Sequence, residues 1–214
     1  MRLKAMAKIN LGLDVLGKRE DGYHEVRMIM QTIRMYDILD IRKTRRPGIV
    51  LTTNLPFIPT DQRNLVYKAA QMLMEEFDVE EGLSIKLRKF IPVAAGMAGG
   101  SSDAAAAFVG VNRMFHLGLT EEQLMERAVK VGADVPYCIM RGTALAEGIG
   151  EKLTRLPEVP KCYVLIGKPG INVSTKTAYE NLNLEGIGKH PDIDGLIGAI
   201  RNNDLYAMAS RMEN

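Results

Sequence analysis

The 214-residue sequence is poor in the groups that bind metals, cross membranes or read nucleic acids. Its two cysteines, Cys138 and Cys162, lack metal-ligand spacing and read as buried thiols. The three histidines, His24, His116 and His190, are too scattered to suggest a metal site. No segment approaches the apolar length of a membrane span, and Lys8 and Asn10 interrupt any signal-peptide core, so a cytoplasmic protein is expected. A net charge of +2 is not the footprint of a nucleic-acid binder, and aromatics interleaved with basic residues are missing. The basic run Arg42, Lys43, Arg45, Arg46 precedes Pro47-Gly48 and reads as a solvated hairpin tip. The chain has neither Gly-x-x-x-x-Gly-Lys-Ser/Thr nor Gly-x-Gly-x-x-Gly, which excludes a Walker P-loop and the dinucleotide fingerprint. At 46% hydrophobic and 25% charged it is an ordinary globular chain, long enough for one large domain or two small ones.

What it does have is the stretch from Pro92 to Phe108. Before it, Leu83, Ile85 and Leu87 alternate with Ser84, Lys86 and Arg88, the period of a half-buried strand. After it, Ala104, Ala105, Phe108, Val111 and Phe115 recur at helical spacing until Gly118, a plausible C′ residue. The spacing therefore predicts a strand, a glycine-rich loop and a helix. Gly96, Gly99 and Gly100 let the backbone take positive φ and approach a ligand, and Ser101, Ser102 or Asp103 can cap the helix. Free N–H groups and the positive end of the helix dipole suit phosphate oxygens. The alternative is a glycine turn that only packs a helix on a sheet.

Along the rest of the chain, Ala7, Ile9, Leu11, Leu13 and Val15 alternate with Lys8, Asn10, Gly12 and Asp14, so Lys8 and Asn10 share one face of a strand. They form either a solvent-facing pair or part of a site. A turn at Asp21-Gly22 leads into a strand opening on Tyr23 and His24. An aromatic face and an imidazole can stack on a nucleobase and bond its edge, or be an ordinary half-buried pair. Tyr36–Arg42 and Ile49–Thr53 read as strands around the Pro47-Gly48 turn. Asp61 can cap a helix carrying Leu65, Ala69, Leu73 and Phe77, with Asn64 in its first turn. Thr120 and Gln123 spell a capping box for a helix ending near Gly132. Asp134, between Gly132 and Pro136, is either a fixed general base or a turn aspartate. Thr143–Leu156 reads as two strands joined at Gly148 and Gly150, and Pro157–Pro160 as a boundary. Beyond it a strand is expected over Cys162–Ile166 and a helix from Ser174 or Thr175 through Leu182. A loop should cover Gly186–Asp192, with helices at Ile193–Ile200 and after Asp204, the last still running at Asn214.

Pro92-x-x-x-Gly96-Met97-Ala98-Gly99-Gly100-Ser101-Ser102 resembles the second motif of the GHMP kinases, the superfamily of galactokinase, homoserine kinase and mevalonate kinase. The longer wording through Ala106 resembles the 4-diphosphocytidyl-2-C-methyl-D-erythritol kinases of non-mevalonate isoprenoid synthesis. Ala7-Lys8-Ile9-Asn10-Leu11 is similar to their N-terminal motif, and Asp21-Gly22-Tyr23-His24-Glu25 to their cytidine-recognition segment. Gly132-Ala133-Asp134-Val135-Pro136-Tyr137-Cys138 is similar to the segment carrying their catalytic aspartate. The resemblance implies ATP held by Pro92, Val93, Ala94, Ala95, Gly96, Met97, Ala98, Gly99, Gly100, Ser101 and Ser102, with Asn64 and Lys89 near its adenine. It implies Asp134 as base, Lys8 beside the phosphoryl acceptor, Asn10, Tyr23 and His24 on the substrate, and Mg²⁺ near Ser101 or Ser102. The acceptor would be the 2-hydroxyl of a cytidine-diphosphate-linked methylerythritol. The alternatives are a kinase for another acceptor such as mevalonate, and a nucleotide-binding but catalytically impaired chain.

The fold expectation is a two-domain α+β protein. Residues 1–157 form an N-terminal ATP-binding domain, which the resemblance implies is ribosomal protein S5 domain 2-like. Residues 158–214 form part of a ferredoxin-like C-terminal domain. The superfamily's third motif, a glycine- and serine-rich loop, has no counterpart in these residues, so the second domain should be incomplete and expose apolar surface. Oligomeric state is not legible.

Overall fold

The computed structural model describes residues 1–170, 178–179, 181–186 and 188–214. Its contacts divide the chain into two compact, interleaved units: Met1–Lys8, Ile33–Val93 and Met97–Met140 form one, and Ile9–Thr32, Ala94–Gly96 and Arg141–Asn214 the other. Neither begins at residue 158. Strands β1 (Arg2–Lys18) and β2 (His24–Thr44), which pair with each other, each give one end to each unit.

In the first unit β4 (Gly82–Arg88) is an interior strand. It is antiparallel to β2, from Ile38 opposite Arg88 to Thr44 opposite Gly82, and parallel to β3 (Ile49–Thr53). Leu83, Ile85 and Leu87 are buried as their alternation predicts. The basic run is therefore not a hairpin tip, because β2 and β3 flank β4 instead of pairing. The connection crosses the start of β4, where Leu83 donates its amide to the Gly48 carbonyl at 2.9 Å. Gly82 makes room for it, since a Cβ there would lie 1.7 Å from the Arg46 carbonyl oxygen. Helices α1 (Leu65–Glu76), α2 (Gly99–Phe115), α3 (Glu121–Ala128) and α4 (Val135–Met140) complete the unit. The buried stripe of α1 is Val66, Ala69, Ala70, Leu73 and Met74; Ala69 and Leu73 are buried as expected, whereas Leu65 and Phe77 are half-buried. Asn64, not Asp61, caps α1, accepting from the Val66 amide at 2.9 Å. The capping box of Thr120 and Gln123 on α3 is present in both directions.

In the second unit β2 pairs antiparallel with β5 (Thr143–Gly148), from Val26 opposite Gly148 to Gln31 opposite Thr143. Next, β5 turns back into β6 (Lys152–Leu156), with Gly148 and Gly150 at positive φ as the turn requires. Two further helices, α5 (Ile193–Arg201) and α6 (Leu205–Ala209), are capped by Asp192 and Asp204. Leu196, Ile197 and Ile200 of α5 bury Leu11 and Ile29. Gly12 lets α5 approach β1, because a Cβ there would sit 3.0 Å from Ile193 Cδ1 and Leu196 Cδ2.

Further expectations fail or fall outside: Cys138 is buried as expected, but Cys162 is exposed. Cys162–Ile166 forms no strand, and Tyr163 and Leu165 are fully exposed at 105% and 99%. Helix α6 ends at Ala209, and Ser210–Asn214 is not helical. The start of the helix expected from Ser174 or Thr175 lies outside the described residues. Among the described residues no helix is long and apolar enough to cross a membrane.

Candidate active site

The strand–loop–helix unit is present, but its backbone is built differently from the expected glycine turn. Positive φ occurs at Ala94, Gly96 and Ala98, whereas Gly99 and Gly100 are the first two residues of α2. Ala98 is the N-cap, in the left-handed region at φ 52°, a conformation costing an alanine roughly 1–2 kcal/mol. It supplies no side-chain cap, and Ser101, Ser102 and Asp103 lie inside the helix instead of capping it. The first amides of a helix have no partner along their own helix, so the start of α2 presents donors and the positive end of the dipole. At its other end His116 is the C-cap and takes positive φ, as does Gly118 two residues on.

Two bonds tie this loop to β1. The Lys8 amide donates to the Met97 carbonyl at 3.2 Å, and Ser102 Oγ donates to the Met6 carbonyl at 2.6 Å. Ser102 Oγ also lies 3.4 Å from Cys138 Sγ on α4. That helix starts directly after Asp134, whose carbonyl accepts the Cys138 amide at 3.1 Å. Ser102 thus fastens β1, α2 and α4 together, and Lys8 Nζ comes 3.8 Å from Asp134 Oδ2. The Lys8 side chain is 6% exposed and the Asp134 side chain 34%. Lys8 is therefore not a solvent-facing strand lysine, and Asp134 is an accessible carboxylate beside a buried ammonium.

Lys89 has surroundings that no spacing in the sequence announces. Its ammonium donates to Asp37 Oδ2 and, at 2.6 Å, to Asp103 Oδ2, all three side chains being buried. Asp37 Oδ1 accepts the amides of Phe90 at 2.5 Å and Ile91 at 2.8 Å. Asn54 brackets the Lys89 backbone, accepting its amide at 2.7 Å and donating to its carbonyl at 3.1 Å. Asp103 Oδ1 is buried with no hydrogen-bond partner. Burial pushes the Asp103 carboxyl well above the usual carboxylate range; Lys89 opposes the rise and Asp37 adds to it. Asp37 lies in a stretch of β2 that also carries Arg34, Asp40 and Arg42, so the sequence does not single it out.

Asn64, besides capping α1, donates from Nδ2 to the Pro59 carbonyl at 2.7 Å. An open cleft of about 440 Å³ lies alongside, lined by Leu51, Thr53, Pro59, Asp61 and Arg63 among others. In the second unit Asn10 is partly buried and Tyr23 is 59% exposed. The His24 ring stacks on Tyr179, with centroids 4.9 Å apart and planes at 24°. Tyr179 had no signal in the sequence reading. Among the described residues no three His, Cys, Asp or Glu side chains cluster as metal ligands.

Residues 64–142 match the family described as GHMP kinases N terminal domain. The chain is 56% identical over its full length to the 4-diphosphocytidyl-2-C-methyl-D-erythritol kinase of Lachnospira eligens, covering 74% of that protein. It is 51% identical over its full length to the kinase of the same description from Caldicellulosiruptor bescii, covering 75% of it. Among solved structures, a 4-(cytidine 5'-diphospho)-2C-methyl-D-erythritol kinase superposes with a TM-score of 0.78 at 30% identity, over 95% of this chain and 72% of that one. A homoserine kinase from Cytophaga hutchinsonii superposes with a TM-score of 0.69 at 18% identity, over 99% of this chain and 72% of that one, a likeness of fold alone. The full-length identity and the superposition agree with the strand–loop–helix and the Lys8–Asp134 pair: the chain belongs to the 4-diphosphocytidyl-2-C-methyl-D-erythritol kinase family of GHMP kinases.

Proposed function

We propose that the protein is a cytoplasmic, ATP-dependent kinase that phosphorylates the 2-hydroxyl of 4-diphosphocytidyl-2-C-methyl-D-erythritol. The observation that carries the reading is the Lys8–Asp134 pair held against the start of α2 by Met97 and Ser102. Phosphoryl transfer needs positioning and charge neutralisation more than covalent chemistry. The triphosphate lies on the Gly96–Ser101 backbone, where the N-terminal amides of α2 take its charge. The acceptor oxygen attacks the γ-phosphorus, the bond to the bridging oxygen breaks, ADP leaves, and Asp134 takes the hydroxyl proton. Lys8 steadies the negative charge on the attacking oxygen. Tyr23 and His24 grip the cytosine by stacking and edge hydrogen bonds, with Asn10 further along the acceptor.

Magnesium, when bound, neutralises the developing charge on the β- and γ-phosphates. The residues present fit an ion held chiefly by those phosphates and water, the usual manner for Mg²⁺. Ser101 is the hydroxyl that would reach it, because Ser102 is buried and committed to Met6. Asn64 and the neighbouring cleft would take the adenine. A ferredoxin-like C-terminal domain follows the first in this reading.

The test is an ATP- and Mg²⁺-dependent assay offering the cytidine-linked acceptor, mevalonate and homoserine in parallel. Phosphate appearing only on the 2-hydroxyl of the cytidine-linked acceptor is the expected result. Preferential phosphorylation of mevalonate or homoserine would refute the acceptor assignment.

A further inference from the structure

We propose that the buried Asp37–Lys89–Asp103 cluster is the positioning device of the phosphate loop, holding the backbone on both of its sides so that the start of α2 stays aimed at ATP. The proposal rests on the kinase reading above and extends it to Asp37 and Asp103, to which that reading gives no role, and to the buried ammonium of Lys89, whose residue the family resemblance puts near the adenine. On the approach side, Asp37 holds the amides of Phe90 and Ile91, the two residues before Pro92. On the far side, Asp103 sits in the second turn of α2 and takes the other bond from Lys89. Lys89 bridges the two, and its own backbone is clamped by Asn54. The bridge runs directly beneath the helix start: a Cβ on Gly99 would come 3.2 Å from Lys89 Nζ.

An ammonium at a helix N-terminus opposes the helix dipole and would repel the very amides it lies under. The Asp37 carboxylate cancels the charge of that ammonium and Asp103 gives it a further acceptor oxygen, leaving the exposed side of the helix start free to attract phosphate. The cluster therefore fixes the loop mechanically without taking over its electrostatics. Strained alanines at positions 94 and 98 need such support, because left-handed alanine persists only where its surroundings over-determine it.

Removing one partner of a buried ionic cluster leaves charge uncompensated, so the test needs variants that separate misfolding from mispositioning. Asp103→Leu keeps the volume and removes the carboxylate; Asp103→Asn keeps an oxygen for Lys89. On the whole protein, MgATP affinity is measured by direct titration, and KM is measured separately for ATP and for the cytidine-linked acceptor. Asp103→Leu is expected to weaken ATP about tenfold or more, since ångström-scale misplacement is felt up to about a hundredfold, with the acceptor KM unmoved. Asp103→Asn should restore ATP binding to near the parent value. Equal ATP affinity in all three proteins, or an equal rise in both KM values, would overturn the proposal. If Asp103→Leu does not fold, Asp37→Asn is judged by the same split. A parent protein that fails to bind MgATP would instead refute the kinase reading itself.

Discussion

Asp103 keeps its carboxyl in a place where ionisation is disfavoured, and this gives the protein a pH signature. Burial raises its affinity for a proton above that in the unfolded chain, with Lys89 opposing and Asp37 reinforcing. The folded state thus holds a proton that the unfolded state releases near pH ~4. The contribution to stability is fully present below that value and is lost as pH rises through the elevated folded-state value. Asp103→Asn, neutral at every pH, removes the dependence. Its melting temperature relative to the parent should climb as pH is raised from about 4 to 8, read by thermal unfolding at a series of pH values. A difference that stays constant across the series would show that Asp103 is not the group responsible.

At the scale of elements, α2 is held down on the sheet by a missing side chain. A Cβ at Gly110 would lie 2.4 Å from Ile41 Cδ1 and 2.7 Å from Leu3 Cδ1, both in the first unit. Gly110→Val should overpack this contact, cost about 1–3 kcal/mol in denaturant unfolding, and weaken ATP binding by tilting the helix start. Unchanged stability would mean that the two methyl groups yield freely. The strand–loop–helix was legible because period and glycine content agree locally, and the caps at Thr120, Asp192 and Asp204 were legible for the same reason. The cap of α2 was not, because Ala98 takes a left-handed conformation that its residue type disfavours. Helix α4 was missed because Val135 to Met140 are all buried, which erases periodicity. In β2, Ile29 and Met30 are both buried and break the alternation, hiding one 21-residue strand behind two shorter readings. The Asp37–Lys89–Asp103 cluster joins residues 52 and 14 positions apart, so only the folded chain assembles it.

At the scale of the whole molecule, the two units are built from alternating segments, so punctuation such as Pro157–Pro160 does not mark their border. Tyr163 and Leu165 are bare in a segment that forms no strand. Exposed apolar runs favour association. Tyr163→Lys with Leu165→Lys in the 214-residue polypeptide should lower hydrophobic-dye binding and shift light scattering towards smaller species. No change in either would show that this run does not drive association. The Lys8–Asp134 pair draws on residues 126 positions apart, and its meaning came from resemblance at each short motif, while its proximity came from the fold.

The measurement that bears most directly on the account is steady-state phosphorylation of 4-diphosphocytidyl-2-C-methyl-D-erythritol by the protein and by Asp134→Ala, with MgATP affinity titrated on both. Loss of kcat by roughly 10²–10⁴-fold with ATP binding intact is the result expected of a general base. Undiminished turnover by Asp134→Ala would contradict the mechanism at its centre.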